Sequence, residues 1–147
     1  ATSDDIDVMI ALGKKMHAES PRFSLLAFCP DKIRATIKQL MTIEGGIVLL
    51  YESDGHVIGG FLGLISAHWF SSDLIANDYA LFLDPDHRGG MAAVRLIKRY
   101  IEIAKASGVH PEFIELGIST GVHLEVTEML FERVGLHKYG SLWRIAQ

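Results

Sequence analysis

Two apolar runs flank an Asp-Gly pair, and this arrangement constrains the fold more than any other feature of the sequence. The run before the pair reads IVLLYES, and the run after it reads HVIGGFLGLISAHW. Asp54 and Gly55 both tolerate the positive φ angles that a two-residue hairpin turn requires. The sequence therefore predicts two antiparallel strands joined by a tight turn.

A third β-rich run, residues 75 to 84, is followed by Pro85, which lacks the backbone donor that a strand needs. From about Gly90 to Ser107 the pattern is helical, with an apolar stripe opposite a charged one. Residues 112 to 119 are again typical of a strand. A strand, helix and strand in this order need a right-handed parallel crossover, so the predicted sheet is mixed.

Four further elements complete the predicted order. They are a helix over 4 to 18, a helix from Asp31 to the glycine pair Gly45 and Gly46, a helix over 122 to 134 and a strand over 136 to 146. The resulting order is α-α-β-β-β-α-β-α-β. We therefore predict an α/β protein with a central mixed sheet flanked by helices.

Composition excludes several classes of protein. The 147-residue chain has the length of one domain, and its 49% hydrophobic content argues against disorder. A net charge of -4 provides no field that would hold nucleic acid. The longest apolar run is shorter than the ~20 residues that span a bilayer. The acidic start of the chain lacks the features of a signal peptide, so the expected location is cytoplasmic.

The stretch DPDHRGGMAAVRLIKRY, residues 84 to 100, joins the third strand to its helix. The first amides of a helix lack intrahelical partners and lie at the positive end of the helix dipole. Small residues there allow an anion such as a pyrophosphate to approach the bare backbone. Gly89 and Gly90 are equally compatible with a plain turn from strand to helix. The dinucleotide and P-loop fingerprints both fail at this junction.

Two stretches, LFLDPDHRGGMAAVRLIKRYIEIAKASG and FERVGLHKYGSLWRI, resemble the GNAT superfamily of N-acyltransferases. In that family a strand ends in V-x-P-x-x-R-G, an R-x-x-G-x-G/A loop opens a helix, and Y-E-x-x-G-F precedes the last strands. The resemblance implies one acyltransferase domain over 1–147. It further implies direct transfer of an acetyl or other acyl group from acyl-CoA to an amine, without an acyl-enzyme.

The resemblance assigns cofactor-binding roles residue by residue. Backbone amides of the loop are expected to hold the pyrophosphate of acetyl-CoA or another acyl-CoA, beside the motif's Arg: Arg88, Gly89, Gly90, Met91, Ala92 and Ala93. Main-chain groups at the end of the preceding strand are expected to pair with pantetheine like an extra strand: Leu81, Phe82 and Leu83. The expected partner is a small-molecule or peptide amine, with no nucleic acid, membrane or metal, and a homodimer is compatible with the pattern.

The catalytic candidates are less specific than the loop. Acyl transfer needs a group that removes a proton from the amine. Asp78 and Tyr79 lie where related enzymes place such a group, and strand alternation lets one of them face the acceptor. Asp78 is the first candidate, although it also suits a solvated strand edge. Tyr139 and His123 are further candidates, although both also suit structural roles. The first two helices and their connection are expected to select the acceptor, through residues that include His17, Glu19, Arg22 and Phe23.

Departures from the family pattern keep a second function open. The family's frequent Tyr is Phe131 here, its Asn is Leu124, and Met91 occupies the middle glycine of the loop. Phe131 cannot donate a proton. A catalytically weak or inactive acyl-CoA-binding module on the same fold is therefore the alternative hypothesis.

A remote alternative is a serine hydrolase. GISTG, residues 117 to 121, matches the G-x-S-x-G elbow with Ser119 as nucleophile. The 28 residues after Ser119 leave no room for the strands that usually carry the acid and the His. Residues 119 to 121 are instead expected to form the N-cap of the following helix.

Overall fold

The computed structural model describes residues 1–145, which form a three-stranded antiparallel sheet covered on both faces by helices. The helices and strands are α1 (Ile6–Glu19), α2 (Pro30–Thr42), β1 (Gly46–Ser53), β2 (His56–Ala67), β3 (Leu74–Leu83), α3 (Ala92–Ala106) and α4 (Leu124–Arg133). The α/β class and the predicted hairpin are confirmed. Asp54 and Gly55 form its turn with φ angles of 52° and 76°.

The sheet is built from two long antiparallel pairings in the order β1-β2-β3. The register pairs Leu49 with Phe61 across β1 and β2, and Phe61 with Leu81 across β2 and β3. Each apolar side of the sheet contacts helices. Phe61 and Tyr100 of α3 belong to one buried cluster, and Met9 of α1 and Ile37 of α2 belong to the other.

Two predicted strands differ from the structure. Residues 112 to 119 form only a single parallel bridge, between Ala76 and Ile114, in place of a ladder. The ladder ends because the Asp78 side chain, and not a strand backbone, accepts the hydrogen bond from the Gly117 amide at 2.8 Å. The parallel component of the mixed sheet is therefore one bridge within the described residues.

The predicted last strand, 136 to 146, is wrong for residues 136–145, which have no regular secondary structure. Residue 146 lies outside the described residues. A strand forms only where a neighbouring edge offers backbone partners. Since residues 115–119 do not extend as a strand, they offer no such edge to the segment that follows α4.

Candidate active site

The junction between β3 and α3 has the open geometry that the sequence predicts. A short 3-10 helix, Pro85–His87, follows β3, and Gly89 then adopts a φ of +87°, which favours glycine. Met91 directly precedes α3, and its carbonyl accepts the first helical hydrogen bond, from Arg95 at 2.9 Å. In residues 1–145, the amides of 89–94 have no backbone partner. These amides therefore point outward from the positive end of the helix dipole.

Beyond Ala76, the outer edge of β3 separates from the neighbouring segment, which contains Ile114 and Glu115. The Glu115 amide donates to the Ala76 carbonyl at 2.9 Å, and this is where the parallel bridge lies. The remaining outer edge, residues 77–83, has no strand partner in the part of the chain that the structure describes. A cleft with a free backbone edge thus runs from Ala76 toward the start of α3.

The three predicted pantetheine residues lie along this edge with their side chains in the core. Leu81 and Leu83 pack against the cluster on the α3 side, and Phe82 is buried on the α1 and α2 side. Their main chain is therefore the part that a ligand in the cleft would meet. That these three residues bind a ligand through their backbone groups stays a prediction.

A β-bulge interrupts β3 at Tyr79. The register pairs Leu62 with Ala80 and Gly63 with Asp78, so Tyr79 is left without an opposite residue. Tyr79 and Ala80 both line a cavity against α1 and α2, whereas Asp78 points to the other face of the sheet. A bulge redirects side chains in this way next to many active sites. No pattern in the sequence indicates this bulge.

Asp78 bridges the two sides of the cleft. Its Oδ1 accepts the Gly117 amide at 2.8 Å, and burial raises the pKa of its carboxyl above the usual range. Tyr100 lies close to the same carboxyl and donates its hydroxyl to the Glu115 carbonyl at 2.9 Å. Burial together with the charges of Asp78 and Glu115 raises the pKa of Tyr100.

Tyr139 contacts the same segment from the C-terminal side. Its hydroxyl donates to Glu115 Oε1 at 2.7 Å, and this hydrogen bond raises the pKa of Tyr139. Asp78 and Tyr139 thus both contact the short stretch 115–117. Sequence reasoning missed Glu115, which joins this group only because the parallel bridge brings the stretch against β3.

Arg88 is bound to α1 across the junction. Both of its terminal nitrogens donate to the carboxylate of Glu19, one of them at 3.0 Å, and each side chain is about one-third exposed. A second ion pair, Lys15 with Asp84 at 2.8 Å, lies nearby and lowers the pKa of Asp84. The end of α1 is therefore held against the loop that leads to α3.

Comparison with known proteins identifies the architecture. No family model and no curated protein matches the chain. Among solved structures, a transcriptional regulator from Bacillus halodurans C-125 is similar at TM-score 0.78 and 15% identity, covering 100% of this chain and 96% of that one. An aminoglycoside N-acetyltransferase, AAC(6')-Iy, in complex with CoA is similar at TM-score 0.75 and 14% identity, with 100% and 91% covered.

An aminoglycoside 6'-N-acetyltransferase from Acinetobacter haemolyticus is similar at TM-score 0.73 and 14% identity, covering 100% of this chain and 94% of that one. The chain has the GNAT acetyltransferase fold. The identities are low, so the likeness concerns the fold. Within that fold, the glycine-bearing loop opens α3 beside the free edge of β3, as the resemblance implied.

The connection between α1 and α2 closes over the far end of the cleft in this GNAT fold. Ser20, which is completely buried, donates its hydroxyl to the Thr120 carbonyl at 2.5 Å and accepts the Phe23 amide at 3.0 Å. Arg22 donates to the Ser119 carbonyl at 3.2 Å. Sequence reasoning named Arg22 and Phe23 in this connection but missed Ser20.

The hydrolase elbow has no support in the geometry. Residues 117–121 do not join a strand to a helix, and in the described chain the Ser119 hydroxyl has no hydrogen bond to a His. The predicted N-cap at 119 to 121 is also wrong, because His123 precedes α4 with a φ of 46°. Thr120 instead accepts the Val122 amide within the loop.

Membrane-spanning helices and metal-ligating clusters are both absent from the described residues. Within 1–145, no helix is long and apolar enough to cross a membrane. The same range contains no group of three or more His, Cys, Asp or Glu side chains arranged to hold a metal ion.

Proposed function

We propose that the chain is a GNAT-type acyl-CoA N-acyltransferase that passes an acetyl group, or another acyl group, directly to an amine. The observation that carries the proposal is the combination of the GNAT fold with unpaired amides at 89–94 beside the free edge of β3. A similar structure with this fold is in complex with CoA. The thioester of acetyl-CoA would supply the activated acyl group.

The loop residues fit the pyrophosphate of CoA. A Cβ added at Gly90 would meet only the His87 carbonyl oxygen, at 4.0 Å, so the space above this amide is open. A Cβ added at Gly89 would meet nothing within 4 Å, so the space around this residue is also open. The side chain of Met91 is about half exposed and leaves its amide as the contributing group. Amides of Gly89 to Ala93 would hold the anion, and the backbone of 81–83 would hold the pantetheine arm.

Proton transfer is assigned to the groups that meet in the cleft. Asp78 is the proposed base, because its raised pKa makes it a stronger proton acceptor than an ordinary carboxylate. Tyr139 is the second candidate for proton transfer. Its hydroxyl donates a hydrogen bond to the Glu115 carboxylate. Asp78 and Tyr139 both contact residues 115–117. This stretch lies on the side of the cleft opposite the free β3 edge.

The test is calorimetric titration of CoA into the wild type, Gly90→Val and a matched control, Gly140→Val. A side chain at Gly90 would cover the amides without disturbing the fold, since Gly90 lacks a positive φ and close neighbours. Gly140 shares these properties away from the junction. We expect Gly90→Val to weaken CoA binding about tenfold or more, and Gly140→Val to change it less than about twofold.

Equal binding by the two variants, or no binding of CoA to the wild type, would refute the assignment of the loop. Release of CoA thiol from acetyl-CoA in the presence of diverse amines then tests catalysis.

The alternative is a binding module without appreciable catalysis on the same scaffold. It is favoured by Phe131, which lies half-buried on α4 and carries no hydroxyl where the family frequently has one. Binding of CoA together with no thiol release across the amines would select this alternative.

A further inference from the structure

A cavity of about 360 Å³ lies between α1, α2 and β3. Its size falls within the range of small-molecule sites. Most of its lining is aliphatic or aromatic, including Met9, Met16, Phe23, Phe28, Ile33 and Phe82. The cavity is therefore suited to an apolar group of modest size.

The charges around this cavity exclude polycations. Among the described residues, those that line it include no Asp or Glu, and its basic members are His17 and Lys32. Glu19, at the end of α1, is already paired with Arg88. A polyamine or aminoglycoside would place ammonium groups against an apolar lining that offers no carboxylate and includes a lysine, which costs free energy.

The wall of the cavity is held in place by specific contacts. His17 Nε2 lies 2.8 Å from the Leu26 carbonyl oxygen. The His17 ring also packs edge-on against Phe28, with the ring centroids 5.2 Å apart. These contacts fix the connection between α1 and α2 over the cavity, so its apolar shape is formed before any ligand binds.

The cavity reaches β3 at the bulge. Tyr79 and Ala80 line it there, and the adjacent Asp78 contacts Gly117 on the other face of the strand. The free outer edge of β3 lies between these two faces. A molecule in the cavity would thus be separated from the cleft only by the width of this edge.

We propose that this cavity binds the acceptor, and that the acceptor is a primary amine on an apolar aromatic or branched aliphatic body. The inference rests on the proposed function. In the reaction, the amine nitrogen forms a bond to the thioester carbon and the carbon–sulfur bond breaks. The nitrogen loses one proton to the base, and the CoA sulfur leaves as the thiolate and takes up one proton.

The surroundings of the cavity also favour the reactive form of such an amine. Transfer from water to an apolar site disfavours the charged ammonium and lowers its pKa. The positive charge of Lys32 acts in the same direction. A neutral amine with a free electron pair is the form that attacks a thioester.

The first experiment compares amines with the wild-type protein. Calorimetry measures binding of 2-phenylethylamine and of spermidine, and thiol release from acetyl-CoA measures transfer to each. We expect 2-phenylethylamine to bind, and its kcat/KM to exceed that of spermidine by about tenfold or more. A preference for spermidine, or no binding of 2-phenylethylamine, would overturn the proposal.

The second experiment introduces a carboxylate at the rim. Leu26 lines the cavity and is 66% exposed, so Leu26→Asp is expected to fold. Leu25, at 80% exposed, lies outside the lining and provides the matched control Leu25→Asp. We expect Leu26→Asp to raise the kcat/KM for spermidine, relative to that for 2-phenylethylamine, about tenfold. Leu25→Asp should leave this ratio unchanged.

An equal shift in both variants, or none in either, would contradict the inferred site. Failure of the proposed function is recognised separately. If CoA does not bind, the acyltransferase proposal fails, whereas intact CoA binding without binding of 2-phenylethylamine refutes only the inferred acceptor.

Discussion

The sheet with α1, α2 and α3 differs sharply from the segment 115–145 in how it is held together. The buried hydrophobic side chains identified in the structure lie between Ile6 and Ile114. In 115–145 every residue is half-buried or exposed. One side of the cleft thus belongs to a packed core, and the other is attached mainly by polar contacts, together with Leu116, which packs against the core cluster.

The polar contacts include the hydrogen bonds from the Glu115 amide to the Ala76 carbonyl and from Arg22 to the Ser119 carbonyl. Three more involve other side chains of the packed region. Asp78 accepts the Gly117 amide, Tyr100 donates to the Glu115 carbonyl, and Ser20 donates to the Thr120 carbonyl. A hydrogen bond contributes about 0.5–1.5 kcal/mol net. The difference teaches that the loop before α3 rests on a packed base, whereas the facing segment depends largely on individual hydrogen bonds.

The largest expected effect is in the packed region. Phe61 is completely buried, and its ring centroid lies 4.6 Å from that of Tyr100. Phe61→Ala should lower the free energy of unfolding by about 3–5 kcal/mol, because it leaves a cavity at the centre of the sheet. Urea unfolding followed by circular dichroism measures this. A loss below about 1 kcal/mol would contradict the description of this region as the core.

The next largest loss of stability is expected at Ser20, whose hydrogen bonds join the two regions. Ser20→Ala leaves the Phe23 amide and the Thr120 carbonyl without their side-chain partner. We expect a loss of about 1–3 kcal/mol, the cost of unpaired buried polar groups. Hydrogen exchange of the Phe23 amide should accelerate, while exchange in β2 should change less. Unchanged exchange at Phe23 would indicate that this hydrogen bond does not hold the segment.

Asp78 provides a pH-dependent test of the contact between the packed region and the segment 115–145. Its folded-state pKa is raised by burial, so its contribution to stability is full below the unfolded pKa of 3.8 and is lost as pH rises through the folded value. Asp78→Asn keeps an oxygen acceptor for the Gly117 amide. Because the Asn side chain does not ionise, the variant does not lose stability as pH rises through the folded pKa of Asp78. At pH 7 the variant should be as stable as the wild type or more stable, by less than about 1.5 kcal/mol.

The advantage of Asp78→Asn should disappear near pH 3.5, as urea unfolding at both pH values would show. Asp78→Ala is the control, since it removes the acceptor altogether and should cost about 1–3 kcal/mol. A variant Asp78→Asn that is much less stable than the wild type at pH 7 would show that the charge itself holds Gly117.

The smallest effect is expected at the end of the described chain. Trp143 is 92% exposed, so Trp143→Ser should change the free energy of unfolding by no more than about 0.5 kcal/mol. The measurement is the same urea titration, at low protein concentration. A loss comparable to that of Phe61→Ala would mean that residues 136–145 are part of the core after all.

Patterns local in sequence were predictable, and contacts distant in sequence were not. The Asp54-Gly55 turn, the three strands of the sheet and the amphipathic helix after Gly90 follow from residue spacing and turn chemistry. The strand predicted over 112 to 119 failed because its pattern cannot reveal that Asp78 takes the Gly117 amide. The bulge at Tyr79 was invisible for the same reason, since it is a property of the pairing with β2.

The sequence by itself determined the hairpin, the amphipathic helix that follows Gly89 and Gly90, and the likeness to a GNAT acyltransferase. Each of these depends on residue types close together in the chain. Only the tertiary structure decided that Tyr79 lines the cavity while Asp78 bridges the cleft, and that Glu19 pairs with Arg88. Such contacts join residues tens of positions apart, and their geometry is fixed by how helices and strands pack.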